Sequence, residues 1–284
     1  MMIVTTISEM QQIADDYRRN GKKIGIVPTM GCLHEGHLSL INLAKHHADV
    51  VITTLFVNPS QFGPTEDFEK YPRDFERDNK LAESAGTDIL FVPSKEDMYP
   101  SDHLTNINVE RITDVLEGKI RPTHFRGVAT VVGKLFNITK PHIAVFGQKD
   151  AQQTVVIQQM VKDLNNDIKI IIAPTVRESD GLAMSSRNVY LSTTERNESA
   201  VLYQSLQLAK QLIDEGERNC STIISEMTKL ITSKPSAKID YVLISNASSL
   251  EELVTLQTGC KILVSLAVRF GTTRLIDNII HTKK

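Results

Sequence analysis

The chain reads as an α/β protein: a Rossmann-like parallel sheet with helices on both faces, followed by a smaller C-terminal α+β domain with an antiparallel sheet. Three observations carry this expectation. Over the first two-thirds, short runs rich in β-branched residues alternate with amphipathic stretches. Those runs are apolar nearly throughout, as strands covered on both faces are, rather than on every second residue. After about residue 176 the strands become consecutive and are joined by short connections, the pattern of an antiparallel sheet.

In order, KIGIVP (23–28), VVITTLFV (50–57), DILFV (88–92), HIAVF (142–146) and IKIIIAP (168–174) are expected strands, each ending at or near Pro, Asn or Gly. Helical patterns lie between them at about 37–47, 73–85, 126–138 and 150–163. Beyond these, 194–214 and 220–232 read as helices and 238–245, 261–268 and 274–279 as strands, with Gly259 and Gly271 as punctuation. The boundary falls between Ala173 and Glu178, which gives domains 1–175 and 176–284. The polar connection 58–72, NPSQFGPTEDFEKYP, carries Gly-Pro and Tyr-Pro breaks and reads as a loop of the length found in lids and binding loops.

Composition narrows the function classes. With 284 residues, 41% of them hydrophobic and 23% charged, the chain is a globular protein rather than a disordered one. Lys and Arg total 32 against 34 Asp and Glu, and a net charge of −2 argues against a protein built to grip nucleic acid or anionic membrane. The three cysteines, Cys32, Cys220 and Cys260, form neither a disulfide framework nor a CxxC pair, which favours a reducing, cytoplasmic setting. No apolar run approaches the roughly 18 residues of a membrane span, and no signal pattern opens the chain.

Three segments carry chemistry. PTMGCLHEGH (28–37) leaves the first of these strands for a helix, where ligands of open parallel sheets bind and helix N–H groups favour anions. Gly31 and Gly36 allow close backbone approach, and His34 and His37 can donate to phosphate. A plain helix cap competes with that reading. A zinc site is the weaker competitor, because the histidines stand at i and i+3 with a glycine between them, not at i and i+4, and no cysteine cluster stands nearby in sequence. FGQKDAQQ (146–153) offers Gly147, a mobile ammonium on Lys149, and Asp150 as an N-cap or a ribose acceptor; a cap with a solvated lysine is the alternative. Gln152 and Gln153 face different ways from the first turn, so that one can point at a substrate. GLAMSSRN (181–188) sets two hydroxyls before Arg187, a phosphate clamp or a solvated loop. None decides alone; the joint arrangement is much less expected by chance. No GxxxxGK[ST], no GxGxxG after a strand and no Ser-His-Asp set is present. Cys32 reads as a small apolar filler.

In this order and spacing, PTMGCLHEGH, NPSQF, DFEKYPR, RPTHFRGV, FGQKDAQQ and AMSSRN resemble the pantothenate synthetase (pantoate–β-alanine ligase) family across essentially the whole chain. That family lies within the nucleotidyltransferases that share a His-x-Gly-His segment with class I aminoacyl-tRNA synthetases. The segment here is His34-Glu35-Gly36-His37, and Met184-Ser185-Ser186-Arg187 stands in the place of the second synthetase signature.

The resemblance implies that ATP and the carboxylate of pantoate form pantoyl adenylate and diphosphate, and that β-alanine then releases pantothenate and AMP. It further implies that Met30, Gly31, Cys32, Leu33, His34, Glu35, Gly36 and His37 line the ATP site. His37 and His34, with Lys149, Ser185, Ser186 and Arg187, would be the catalytic set. Gly147 and Asp150 would meet ribose, Gln148 would line the ATP site beside them, and Val176 and Met184 would meet adenine through backbone. Gln61, Gln153, Pro28, Thr29 and Tyr71 would receive pantoate and β-alanine, with Tyr71 and loop 62–72 as a flexible cover and the second domain closing over the site. Mg2+ would accompany ATP; Asp78 is considered for holding it and is not assigned as a ligand. The implied partners are small molecules, with no nucleic acid and no membrane. The implied assembly is a homodimer through the N-terminal domain, with 106–109 as an edge strand. Cys32 stands where many members carry Ala, and Arg126 at a variable position. Three other functions compete: a cytidylyltransferase-like enzyme that stops at nucleotide transfer, an ATP-responsive binding protein, and a tRNA-charging enzyme. The last is disfavoured by the charge and by the lack of an anticodon-binding unit.

Overall fold

The computed structural model describes residues 1–64 and 66–282. By internal contacts they form two compact units, Met1–Gln148 with Gln152–Pro174, and Lys149–Ala151 with the residues from Thr175 on.

The first unit runs β1 (Met2–Val4), α1 (Ile7–Arg19), β2 (Ile24–Thr29), α2 (Glu35–Lys45), β3 (Val50–Leu55), α3 (Phe75–Ser84), β4 (Ile89–Phe91), α4 (Lys95–Met98), α5 (Glu117–Ile120), α6 (His124–Thr139), β5 (Ile143–Gly147), α7 (Ala151–Asp163) and β6 (Lys169–Ala173). The sheet order is β1-β4-β3-β2-β5-β6, and every pairing is parallel. The five expected strands are all present. β1 and α1 are additions to the expected elements, and a three-residue strand is too short to show as an apolar run.

Strand pleating sorts the side chains onto two faces. Ile24, Ile26, Val50, Ile52, Ala144 and Phe146 pack with Met10 and Ala14 of α1, with α6, and with Ile157 of α7. Val27, Val51, Ile143 and Val145 pack with Leu40, Ile41 and Ala44 of α2. Each fully buried Ile or Leu contributes roughly 1.5–3 kcal/mol, so covering both faces stabilises the sheet and explains the unbroken apolar runs. The chain builds outward from β2 through β3 to β4, then returns and builds the other way from β5 to β6. The reversal lies between β2 and β5. At such a switch point the loops leaving the two strands diverge and open a crevice at their carboxyl ends.

The second unit contains α8 (Thr193–Ser199), α9 (Val201–Asp214), α10 (Cys220–Thr232) and the antiparallel sheet β7 (Ala237–Asn246), β8 (Lys261–Phe270), β9 (Thr273–Thr282). Leu202, Leu206 and Ile213 of α9 and Ile223, Met227 and Ile231 of α10 pack on Ile244, Val264 and Leu266.

Two expectations need correction. The single helix over 194–214 is broken at Ala200, where the Ser199 hydroxyl donates to the Arg196 carbonyl at 2.8 Å and offers that backbone an alternative partner. Residues 106–109 are not a strand. The Ile107 N–H donates to the Thr130 hydroxyl on α6 at 2.9 Å instead of to a sheet neighbour.

Candidate active site

The loop leaving β2 is shaped by two successive left-handed residues, Gly31 (φ 85°) and Cys32 (φ 50°). This turns the Cys32 and Leu33 N–H groups toward one buried carboxylate. Asp78 on α3, 2% exposed, accepts from Cys32 N through Oδ2 and from Leu33 N through Oδ1, both at 2.7 Å. A Cβ on Gly31 would stand 2.9 Å from Asp78 Oδ2, so glycine is needed for both its φ and its size. Both Asp78 oxygens are thus engaged with backbone, each accepting one N–H. Leu33 is buried against Ala82 and Leu90, so only its backbone can line a site. Burial first, and the Asp78 charge second, push the Cys32 thiol up. That is the environment of an inert filler, not of a nucleophile.

His34 is the N-cap of α2. Its Nδ1 accepts from Gly36 N at 3.1 Å, and His37 Nδ1 accepts from His34 N at 3.3 Å. The rings lie 4.1 Å apart. The capping interpretation therefore holds for the Nδ1 atoms. Because each Nδ1 is an acceptor, a neutral ring carries its proton on Nε2, and that edge is a donor. One arrangement both caps the helix and orients two N–H groups beside its N-terminus.

Gln61 ends a 3-10 turn, Pro59–Gln61, capped by the buried Asn58. Asn58 Nδ2 donates to Gln61 Oε1 at 3.0 Å and to Gly127 O at 3.1 Å. Gln61 Nε2 lies 3.2 Å from the Met30 sulfur, which brings Gln61 to the loop after β2, where Pro28 and Thr29 close that strand. Tyr71, 5% exposed, packs edge-on to Phe62 with ring centres 6.0 Å apart.

At the end of β5, Gly147 and a 3-10 turn over Gln148–Asp150 lead into α7. The helix starts at Ala151, with Asp150 in the turn before it. A Cβ on Gly147 would meet nothing nearer than Leu40 at 4.0 Å, so no packing demand explains that glycine. Of the two glutamines, Gln152 is structural. It is 5% exposed, accepts from Glu117 N at 2.9 Å and donates to the Ile112 and Val115 carbonyls at 2.8 Å. Gln153 is half-buried.

In the second unit, Lys149 Nζ lies 3.7 Å from Asp150 Oδ1, and the Lys149 carbonyl accepts from Asn278 Nδ2 at 2.8 Å. Met184 N donates to Val176 O at 3.0 Å, next to the antiparallel Arg177–Ala183 bridge. Ser185 caps the Ser186–Tyr190 turn, its Oγ accepting from Arg187 N at 3.2 Å. Sequence reasoning missed the residues that hold this framework. Arg177 forks onto Asp277 at 2.6 and 2.9 Å, donates to Gly181 O at 3.0 Å, and lies over the Tyr203 ring at 4.1 Å. Among the described residues no three His, Cys, Asp or Glu side chains gather as a metal site, and no helix is long and apolar enough to cross a membrane.

A family model described as Pantoate-beta-alanine ligase matches residues 2–280. The chain belongs to that family. It is accordingly a ligase, joining pantoate to β-alanine in pantothenate biosynthesis. Among its relatives, the pantothenate synthetase of Chloroherpeton thalassium is 55% identical over 282 residues, covering 98% of each chain. That of Thermoanaerobacter sp. is 54% identical over 280 residues, covering 99% of this chain and 98% of the relative. The solved pantothenate synthetase of Thermus thermophilus superposes with a TM-score of 0.91 at 41% identity, covering 98% of this chain and 99% of that one. The Francisella tularensis pantoate-beta-alanine ligase, complexed with beta-gamma ATP and beta-alanine, gives a TM-score of 0.81 at 37% identity, covering 99% and 97%.

Proposed function

We propose that the chain carries out this ATP-dependent ligation through an enzyme-bound pantoyl adenylate, with the residues expected from the sequence in the roles expected of them. A carboxylate is a poor acyl donor, and adenylation supplies the leaving group. Negative charge grows on the α-phosphate and on departing diphosphate, so catalysis is chiefly positioning and preorganised donation. The observation that carries the reading is the reciprocal histidine cap: with both Nδ1 atoms taken by backbone N–H, the Nε2–H edges of His34 and His37 are the phosphate donors.

Lys149, Arg187 and the hydroxyls of Ser185 and Ser186 supply further positive or neutral donors. Gly147 and Asp150 serve the ribose, and Gln148 lines the ATP site. Since Met184 N is already bonded to Val176 O, the Val176 N–H and the Met184 carbonyl are the groups for the adenine edge. The Gln61 oxygen is held by Asn58, so its amide N–H donates to pantoate, with Gln153, Pro28, Thr29 and Tyr71 completing the acid and amine site. Mg2+ brought in with the nucleotide would partly neutralise its phosphates. We place the enzyme in the cytoplasm as a homodimer, for which light scattering should give about twice 31.7 kDa.

Rapid mixing with ATP and pantoate alone tests the order of events. One equivalent of diphosphate should appear per active site before any β-alanine is added, and AMP and pantothenate should follow its addition. Diphosphate release that waits for β-alanine would rule out the adenylate.

A further inference from the structure

The segment RPTHFRGV, residues 121–128, enters α6, and none of the roles above uses it. Three of its residues converge on the turn that carries Gln61. His124 Nδ1 lies 2.9 Å from the Gln61 carbonyl oxygen. A carbonyl only accepts, so His124 donates from Nδ1. Burial, and then the Arg121 charge, depress its pKa to about 4, which keeps the ring neutral with that one proton in place. Gly127 lets α6 touch the turn directly: a Cβ there would collide with the Ser60 carbonyl and the Gln61 nitrogen.

Arg121 does more than hold the turn. Its Nη2 donates to the Gln61 carbonyl at 3.3 Å, while Nε and Nη2 fork the Glu66 carboxylate at 2.6 and 2.5 Å. The pair is largely shielded, with side-chain exposures of 18% and 21%, and the Arg121 charge holds the Glu66 carboxyl below the usual range against its burial. A guanidinium is planar and its donors are fixed relative to one another. Fixing its fork on Glu66 therefore fixes the direction of its third bond, to Gln61.

We infer that Arg121 is a positioning residue for the acid substrate, its fork on Glu66 orienting it to hold the Gln61 turn in the geometry that receives pantoate. The inference rests on Gln61 being a pantoate contact. Glu66 has no contact with substrate in this scheme; it acts through Arg121, and Arg121 acts through Gln61.

The test is steady-state kinetics on the full-length enzyme with Glu66→Gln, Arg121→Lys, the double variant, and Gln61→Ala as reference. Glu66→Gln preserves shape and removes the charge; Arg121→Lys preserves charge and removes the fork. Each single variant should raise the pantoate KM roughly 10-fold, the scale of a lost charge-assisted hydrogen bond, and leave the ATP KM unchanged. The double variant should be no worse than the poorer single one, because the two residues act in series. An unchanged pantoate KM in both single variants beside an impaired Gln61→Ala overturns the inference and leaves Gln61 in place. An unchanged pantoate KM in Gln61→Ala overturns both. Equal rises in the ATP and pantoate KM, with a lowered melting temperature, would mean a merely structural pair and also overturn it. Should Arg121→Lys fail to fold, Glu66→Gln decides alone.

Discussion

The Asp78 carboxylate accepts the backbone N–H groups of Cys32 and Leu33 with its two oxygens, each at 2.7 Å. A side chain on α3 thereby sets the path of the loop that leaves β2, and with it the start of α2 and both histidines.

Replacing Asp78 by Asn keeps one acceptor and turns an NH2 toward a backbone N–H. Leaving one buried donor unpaired should cost about 1.5–3 kcal/mol of stability. The ATP KM should rise with it, while the pantoate KM changes less. Urea unfolding and initial-rate kinetics check the two effects separately.

His34 caps α2 and, in the proposed mechanism, also donates to phosphate, and substitution can separate the two. His34→Ala loses a cap, about 1 kcal/mol, and a phosphate donor, roughly 10²-fold in adenylate formation. His34→Asn should restore the cap and the stability, since Asn is among the best N-caps, and should stay as slow as the alanine variant. His37→Ala should show the same kinetic loss. Diphosphate bursts and thermal melts read the outcomes; a fast His34→Asn enzyme would remove this histidine from the chemistry.

Acid should weaken the fold through His124. Its folded pKa, about 4, lies below the ordinary 6.5, so between these values the unfolded chain binds the extra proton. Stability is therefore fully present above pH 6.5 and falls as pH drops toward 4, by on the order of 2 kcal/mol at pH 4.5. A His124→Asn variant should lack that part of the slope in urea titrations at pH 7 and 4.5.

Gly127→Ala should force α6 and the Pro59–Gln61 turn apart, because the added methyl meets backbone and not a movable side chain. Overpacking of this kind costs about 1–3 kcal/mol. The expected signature is a lower melting temperature together with a raised pantoate KM.

Cys32 should be a poor target for oxidants. Ellman's reagent should titrate it more slowly than a free thiol at pH 8, since burial and Asp78 both oppose the thiolate. Cys32→Ala should retain full turnover.

Much of this is legible in the sequence, for physical reasons. Sheet strands buried on both faces announce themselves as apolar runs, and α10 lies at 220–232 as expected, with Asn219 capping it. The candidate site motifs are visible because Gly, His, Lys and Ser donors cluster locally in short segments. The supports are not, because they are distant in sequence: Asp78 lies 46 residues from Cys32, and Asp277 lies 100 from Arg177. Nor can spacing decide between Gln152 and Gln153. That needs the Ile112 and Val115 carbonyls, which only the folded chain brings to Gln152.

The backbone contact at Gly127 also limits how this enzyme can be redesigned. With Gln61 receiving pantoate as proposed, a wider pocket for bulkier hydroxy acids cannot be obtained by moving the Gln61 turn, since it rests directly on a helix with no side chain between to trim at Gly127. Room would have to come from a side chain such as Gln153, half-buried and open to shortening without disturbing the backbone. A library that varies position 153 and leaves Gln152, 58–61 and 121–128 intact is the one the architecture tolerates.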